Sequence, residues 1–108
     1  MQYNGREDII NRGGTYGMRE LYIDQREKEG EDGQRYRFDY YILVDQMEMS
    51  EGFACESYGV KIAASDRGDA AELPNITVSI SRIDELMELL TRNVVTPVSL
   101  RDVVEDWL

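Results

Sequence analysis

The stretch Arg35-Tyr36-Arg37-Phe38-Asp39-Tyr40-Tyr41-Ile42-Leu43-Val44-Asp45-Gln46-Met47 places Tyr36, Phe38, Tyr40, Ile42 and Val44 at every second position. Side chains alternate between the two faces of a β-strand, so these five share one face. The run is rich in aromatic and β-branched residues, which suits a half-buried strand rather than a helix. Just before it, Gly30-Glu31-Asp32-Gly33 is dense in turn formers, and residues 18–28 form a second strand-like run upstream. A long β-hairpin over residues 18–47 follows from this arrangement.

Charge pairing proposes the hairpin register. With Glu29 opposite Arg35, Glu27 faces Arg37, Ile23 faces Tyr41, Leu21 faces Leu43 and Arg19 faces Asp45; a one-residue slip mixes the faces. Downstream, Tyr58, Val60 and Ile62 alternate within residues 53–63 and define a third strand. Setting Asp39 opposite Lys61 places Tyr41 over Gly59. Residues 65–73 read as a hydrophilic loop, and Ile76, Val78 and Ile80 as a short fourth strand. Residues 1–17 contain Gly5, Gly13, Gly14 and Gly17 and no sustained period, so they read as a flexible arm with one helical turn around Ile9.

The last third changes period. Ile83, Leu86, Met87 and Leu90 follow i, i+3, i+4, i+7 behind Ser81 and Asp84, which resemble a capping box. Pro97 interrupts the pattern, and Ser99 is placed to cap a second helix whose Leu100, Val103, Val104, Trp107 and Leu108 lie along one stripe. Strands followed by helices imply an α+β domain over residues 18–108: a four-stranded antiparallel meander with two C-terminal helices on one face. At 108 residues the chain has room for one core.

The helices should cover the even-numbered sheet face, leaving the odd-numbered face to solvent. In the proposed register that face gathers Leu21, Ile23, Tyr41 and Leu43, an apolar cluster of a kind that is usually covered. Two occupants suit it, Ile9 and Ile10 of the arm or a self-association or partner surface, and a different hairpin register is the third account of the cluster. On the second helix Asp102 sits in the first turn, where the dipole favours it, whereas Glu105 and Asp106 near the end oppose the dipole. The candidate partner surface is therefore Leu21, Ile23, Tyr41, Leu43, Asp102, Glu105 and Asp106.

Composition narrows the chemistry. The chain has no histidine, which removes Ser-His-Asp and Cys-His catalysis, histidine proton switching and histidine-containing zinc sites. Its single cysteine, Cys55, cannot form an internal disulfide and has no histidine to activate it as a nucleophile. Acidic residues number 22 against 12 basic, a net charge of −10. That balance opposes binding to nucleic acid or to anionic membranes and suits a basic protein partner. Nearly all the excess lies beyond the first hairpin, since residues 38–108 hold fourteen acidic and five basic residues. No run approaches the ~20 apolar residues of a membrane span, and the N-terminal segment has no signal-peptide pattern, so a cytoplasmic location is expected.

Several short patterns carry little. Gly13-Gly14-Thr15-Tyr16-Gly17 lacks the spacing of a phosphate loop and runs toward a strand. Asp66, Asp69 and Glu72 lack calcium-loop spacing and read as a solvated turn. Arg67-Gly68-Asp69 and the sequon Asn75-Ile76-Thr77 have no role in a cytosolic chain. Paired carboxylates remain the one catalytic pattern available, at Asp102 and Asp106 or among Asp84, Glu85 and Glu88.

The segment Thr96-Pro97-Val98-Ser99-Leu100-Arg101-Asp102-Val103-Val104-Glu105-Asp106-Trp107-Leu108 resembles the ending of a family of small uncharacterised Firmicutes proteins, a domain of unknown function. Tyr58-Gly59-Val60 and residues 76–90 fit the same pattern, so the resemblance covers residues 18–108. In that family a histidine often stands at the position of Ser99, and its absence removes any histidine-dependent role from this chain. The resemblance implies that Pro97, Leu100, Asp102, Val103, Asp106 and Trp107 act as one unit and supplies no activity. The expectation is a non-enzymatic binding or regulatory module, without cofactor or metal, that meets a protein partner or a second copy of itself. A carboxylate-dependent or metal-assisted hydrolase and an acidic mimic of nucleic acid are the alternatives.

Overall fold

The computed structural model describes residues 7–10, 18–48, 54–65 and 68–108. Among them, five strands form one antiparallel sheet in sequential order: β1 (Glu7–Ile10), β2 (Met18–Glu29), β3 (Arg35–Glu48), β4 (Ala54–Ala64) and β5 (Ala70–Thr77). Two helices follow, α1 (Ile80–Arg92) and α2 (Leu100–Trp107), the second entered through a 3-10 turn (Pro97–Ser99). The expected meander of four strands is β2 to β5, and the α+β class with two C-terminal helices stands.

β1 is an addition. Around Ile9 the chain forms a strand where a helical turn was expected, pairing Ile9 with Arg19 and Ile10 with Met18. An isolated four-residue run has no readable period; it becomes a strand because β2 offers an unpaired edge. The rest of the expected arm, residues 1–6 and 11–17, and the side chains of Ile9 and Ile10 lie outside the described part.

The core lies between the even-numbered faces of β3 and β4 and the two helices. Tyr40, Ile42, Val60 and Ile62 are completely buried against Ile83, Leu86, Leu90 and Leu100. The helical stripe of α1 thus faces inward as its spacing predicts. On α2, Leu100 and Val104 are buried and Val103 and Trp107 pack on the core's margin, but Leu108, past the end of the helix, is exposed.

The hairpin register holds from Glu29 opposite Arg35 to Asp24 opposite Tyr40, and then a bulge at Ile23 advances it by one. Beyond the bulge Leu21 faces Ile42, Glu20 faces Leu43 and Arg19 faces Val44. A bulge sends every later side chain to the opposite face. Leu21 thereby joins the core side with Ile23, and Glu20 takes the far face.

Between β3 and β4 the register differs by two residues from the expected one: Tyr41 faces Lys61, Leu43 faces Gly59 and Asp39 faces Ala63. An even shift preserves the faces, so the core residues are unaffected. Lys61 finds its carboxylate in Glu20 on β2 at 2.9 Å, while Asp39 accepts hydrogen bonds from Gln25 and Ser65, each at 2.8 Å.

β5 begins at Ala70, so residues 70–73 of the expected loop are strand, and Val78 and Ile80 lie beyond its end. Opposite Gly59 the β5 chain makes an irregular step from Leu73 to Thr77. Pro74 needs no ladder partner for a missing N–H, and Asn75 adopts φ of 57°, a conformation asparagine tolerates better than most residues. Ser79, not Ser81, caps α1: its Oγ accepts from the Arg82 amide at 3.3 Å. The helix ends in a Schellman arrangement, with Val95 N–H on the Leu90 carbonyl and Val94 N–H on that of Thr91. Val94 occupies the left-handed position at φ 48°, where glycine is usual.

Candidate functional site

Pro97 opens the 3-10 turn at a position where its missing N–H costs nothing, and the turn delivers the chain into α2. Ser99 holds the N-cap position, but its side chain caps no amide; its Oγ instead accepts from Thr96 Oγ1 at 3.4 Å. The inner side of α2 is committed to the core. Its last turn is fixed from α1, where the Arg82 guanidinium stacks 4.0 Å from the centre of the Trp107 ring.

The outer side carries Asp102, Glu105 and Asp106, all exposed. Among the described residues no hydrogen bond or ion pair engages the three carboxylates, although α1 pairs Arg82 with Glu85 at 3.4 Å and Arg92 with Glu88 at 3.9 Å. Val98, at the entrance to the helix, is 91% exposed. Along a helix Val98, Asp102 and Glu105 follow i, i+4, i+7, so the turn and the helix present one continuous outer stripe.

At the start of that stripe a cavity of about 220 Å³ opens between the sheet and the 3-10 turn, lined by Tyr36, Phe38, Ala64, Asp69, Thr96, Pro97 and Val98. Tyr36 is fixed as a wall: its hydroxyl donates to Asp32 Oδ2 at 2.6 Å, and its ring lies against Gly30, where any Cβ would collide with it. Asp69 is held by its backbone, whose carbonyl accepts from Ala64 N–H at 2.7 Å.

A second cavity, of about 420 Å³, lies beside α1 and is lined by Ile23, Asp84, Met87, Glu88 and Thr91. Asp84 Oδ1 is buried there with no hydrogen-bond partner among the described residues, and burial pushes its carboxyl above the usual range. Asp84 and Glu88 stand one turn apart. Among the described residues, no group of three or more histidine, cysteine, aspartate or glutamate side chains converges as metal ligands do. Cys55 is a half-buried free thiol.

The seven residues of the expected partner surface separate into three places. Leu21 and Ile23 pack on the core because of the bulge, so the far face has no cluster of Leu21, Ile23, Tyr41 and Leu43. Tyr41 and Leu43 remain on that face, where Leu43 is 1% exposed and Tyr41 meets Lys61, 5.4 Å from its ring, and the edge of Tyr22 at 5.6 Å. This face is an interlocked aromatic and ionic layer rather than an open apolar patch. Asp102, Glu105 and Asp106 do form one surface. Sequence reasoning missed the Asp69 cavity, since Tyr36 and Phe38 read as core and Asp69 as a solvated turn. The one available signal was Pro97, which breaks the helical period and forces a turn against the sheet.

The architecture is thus a small α+β domain, a meander sheet backed by two helices, with one cavity and an acidic stripe at the C-terminal turn and helix and a second cavity beside α1. The chain belongs to the family of unknown function DUF6514, whose model matches residues 19–108, from the second residue of β2 through α2. β1 lies outside the matched span. No curated protein and no solved structure matches the chain. Among the described residues no helix is long and apolar enough to cross a membrane.

Proposed function

We propose that this domain is a non-catalytic protein-binding module that meets a basic partner surface through the outer side of α2. The carrying observation is the trio Asp102, Glu105 and Asp106, exposed and without ion pairs among the described residues. Glu105 and Asp106 sit in the last turn, where the carbonyl end of the helix repels negative charge. Their position therefore costs helix stability, and no ion pair among the described residues offsets it. A cationic partner supplies the missing compensation: complementary charge steers encounter and fixes orientation. The surplus of acidic residues beyond Phe38 adds a long-range field of the same sign.

The test replaces Asp102→Asn, Glu105→Gln and Asp106→Asn together, which removes charge and keeps shape. Wild-type and triple-variant chains, first shown to have the same circular dichroism spectrum, are used to capture proteins from the producing cells. The reading expects a captured basic protein whose recovery falls about tenfold with the variant and falls with added salt. Equal recovery of the same proteins by both chains would overturn it.

A further inference from the structure

We propose that the cavity between β3 and the 3-10 turn receives the side chain of an arginine presented by a protein partner. This takes from the preceding reading only that the partner is a protein; the residues that carry it are different ones.

The lining dictates the occupant. Tyr36, Phe38, Ala64, Pro97 and Val98 form an apolar sleeve, and Asp69 contributes its one described charge. An apolar sleeve with one carboxylate matches a side chain with an aliphatic stem and a cationic end. The volume of about 220 Å³ holds about seven water-sized groups at ~30 Å³ each, and an arginine side chain has about that number of heavy atoms beyond Cα. Lysine offers a compact, strongly hydrated ammonium. Arginine offers a weakly hydrated planar fork that stacks on aromatic rings and grips a carboxylate through two parallel N–H bonds.

Both elements that the fork needs are ready. Among the described residues, no hydrogen bond or ion pair engages the Asp69 carboxylate, while its backbone is tied to the end of β4. The Tyr36 ring is held at its hydroxyl by Asp32 and lies along one edge against Gly30. No lysine or arginine stands among the described lining residues. A site held in shape before binding loses little ordering entropy on association.

The experiment titrates the isotopically labelled full chain with acetyl-Gly-Arg-Gly-amide at low ionic strength and follows the backbone amides of Ala64, Asp69, Thr96 and Val98 by NMR. The matching citrulline peptide keeps the shape of arginine without its charge. Saturable shifts at these amides are expected with the arginine peptide, and about tenfold weaker binding with the citrulline peptide. Asp69→Asn should weaken arginine binding by a similar factor and leave citrulline binding unchanged. Equal affinity for both peptides, equal or tighter binding of a leucine peptide, indifference to Asp69→Asn, or no saturable shift up to about 10 mM would each overturn the proposal. The α2 triple variant separates the two readings. It should keep arginine-peptide binding even if partner capture is lost, and a failed titration leaves the capture experiment to stand or fall alone.

Discussion

The Tyr40 hydroxyl crosses the core to donate to the Val95 carbonyl at 2.8 Å, fastening the segment after α1 to the middle of the sheet. Burial pushes its phenol up to about 12, with a lowering contribution from Arg26 and a smaller raising one from Asp24. Between about pH 10 and 12 the folded state thus holds a proton that the unfolded state has released. Its contribution is intact below about pH 10 and is lost as the pH rises toward 12. Tyr40→Phe should cost about 1–2 kcal/mol at neutral pH, because the Val95 carbonyl loses its donor, and should flatten the alkaline loss. Urea unfolding at pH 7 and across the alkaline range measures both; the same alkaline slope in the two proteins would contradict the assignment. Asp84 has the same sign at the acid end. Its carboxyl keeps its proton to higher pH when folded, so its contribution is present at low pH and is lost as the pH rises through the folded value. Asp84→Asn should therefore raise the melting temperature at pH 7, and the gain should vanish near about pH 3, where the carboxyl is neutral in either state.

At the scale of elements, β4 and β5 meet through Gly59. A Cβ there would overlap the Leu73 carbonyl oxygen and the Pro74 Cα, both backbone atoms that cannot turn aside. Gly59→Ala should cost about 1–3 kcal/mol, read as a lower denaturant midpoint together with faster amide exchange in β5 than in β2. What the sequence discloses about such junctions depends on where their cause lies. The alternation of Phe38, Tyr40, Ile42 and Val44, and the i, i+3, i+4, i+7 spacing of Ile83, Leu86, Met87 and Leu90, are properties of one segment and were legible. The bulge at Ile23 is not, because it reconciles two facing strands: the charge pairs of the tip fix one register and the burial of Leu21 requires the next. The far-face cluster failed for that reason alone. The N-cap at Ser79 and the end of β5 were missed because Val78 and Ile80 prolong the alternation of Ile76 past the true strand end, and its start at Ala70 because residues 65–73 are mostly polar or small. The acidic stripe on α2 was legible, since a short helix fixes its own outer side. The Asp69 cavity was not, since it joins a strand, a loop and a turn distant in sequence.

For the whole molecule, the question is whether β1 belongs to the folding unit. Every described residue of the buried core, from Phe38 to Val104, lies within the matched span of residues 19–108, as do Leu21 and Ile23 on its margin. β1 contributes a four-residue ladder along residues 18–21 of β2. Its backbone adds a strand at the edge that β2 offers. A chain of residues 18–108 should accordingly fold with an unchanged near-ultraviolet spectrum and a single unfolding transition. Its stability should fall by about 1–3 kcal/mol, the scale of a few net backbone hydrogen bonds offset by the entropy of ordering the strand. The comparison must be made at one ionic strength, because the acidic excess beyond Phe38 repels itself in both chains and salt relieves it. The freed segment of β2 should also show itself, through rapid exchange of edge amides at residues 18–21 while those of β3 and β4 stay protected. A shortened chain that fails to unfold cooperatively would make β1 an integral part of the domain, and the sheet a five-stranded unit from the outset of folding.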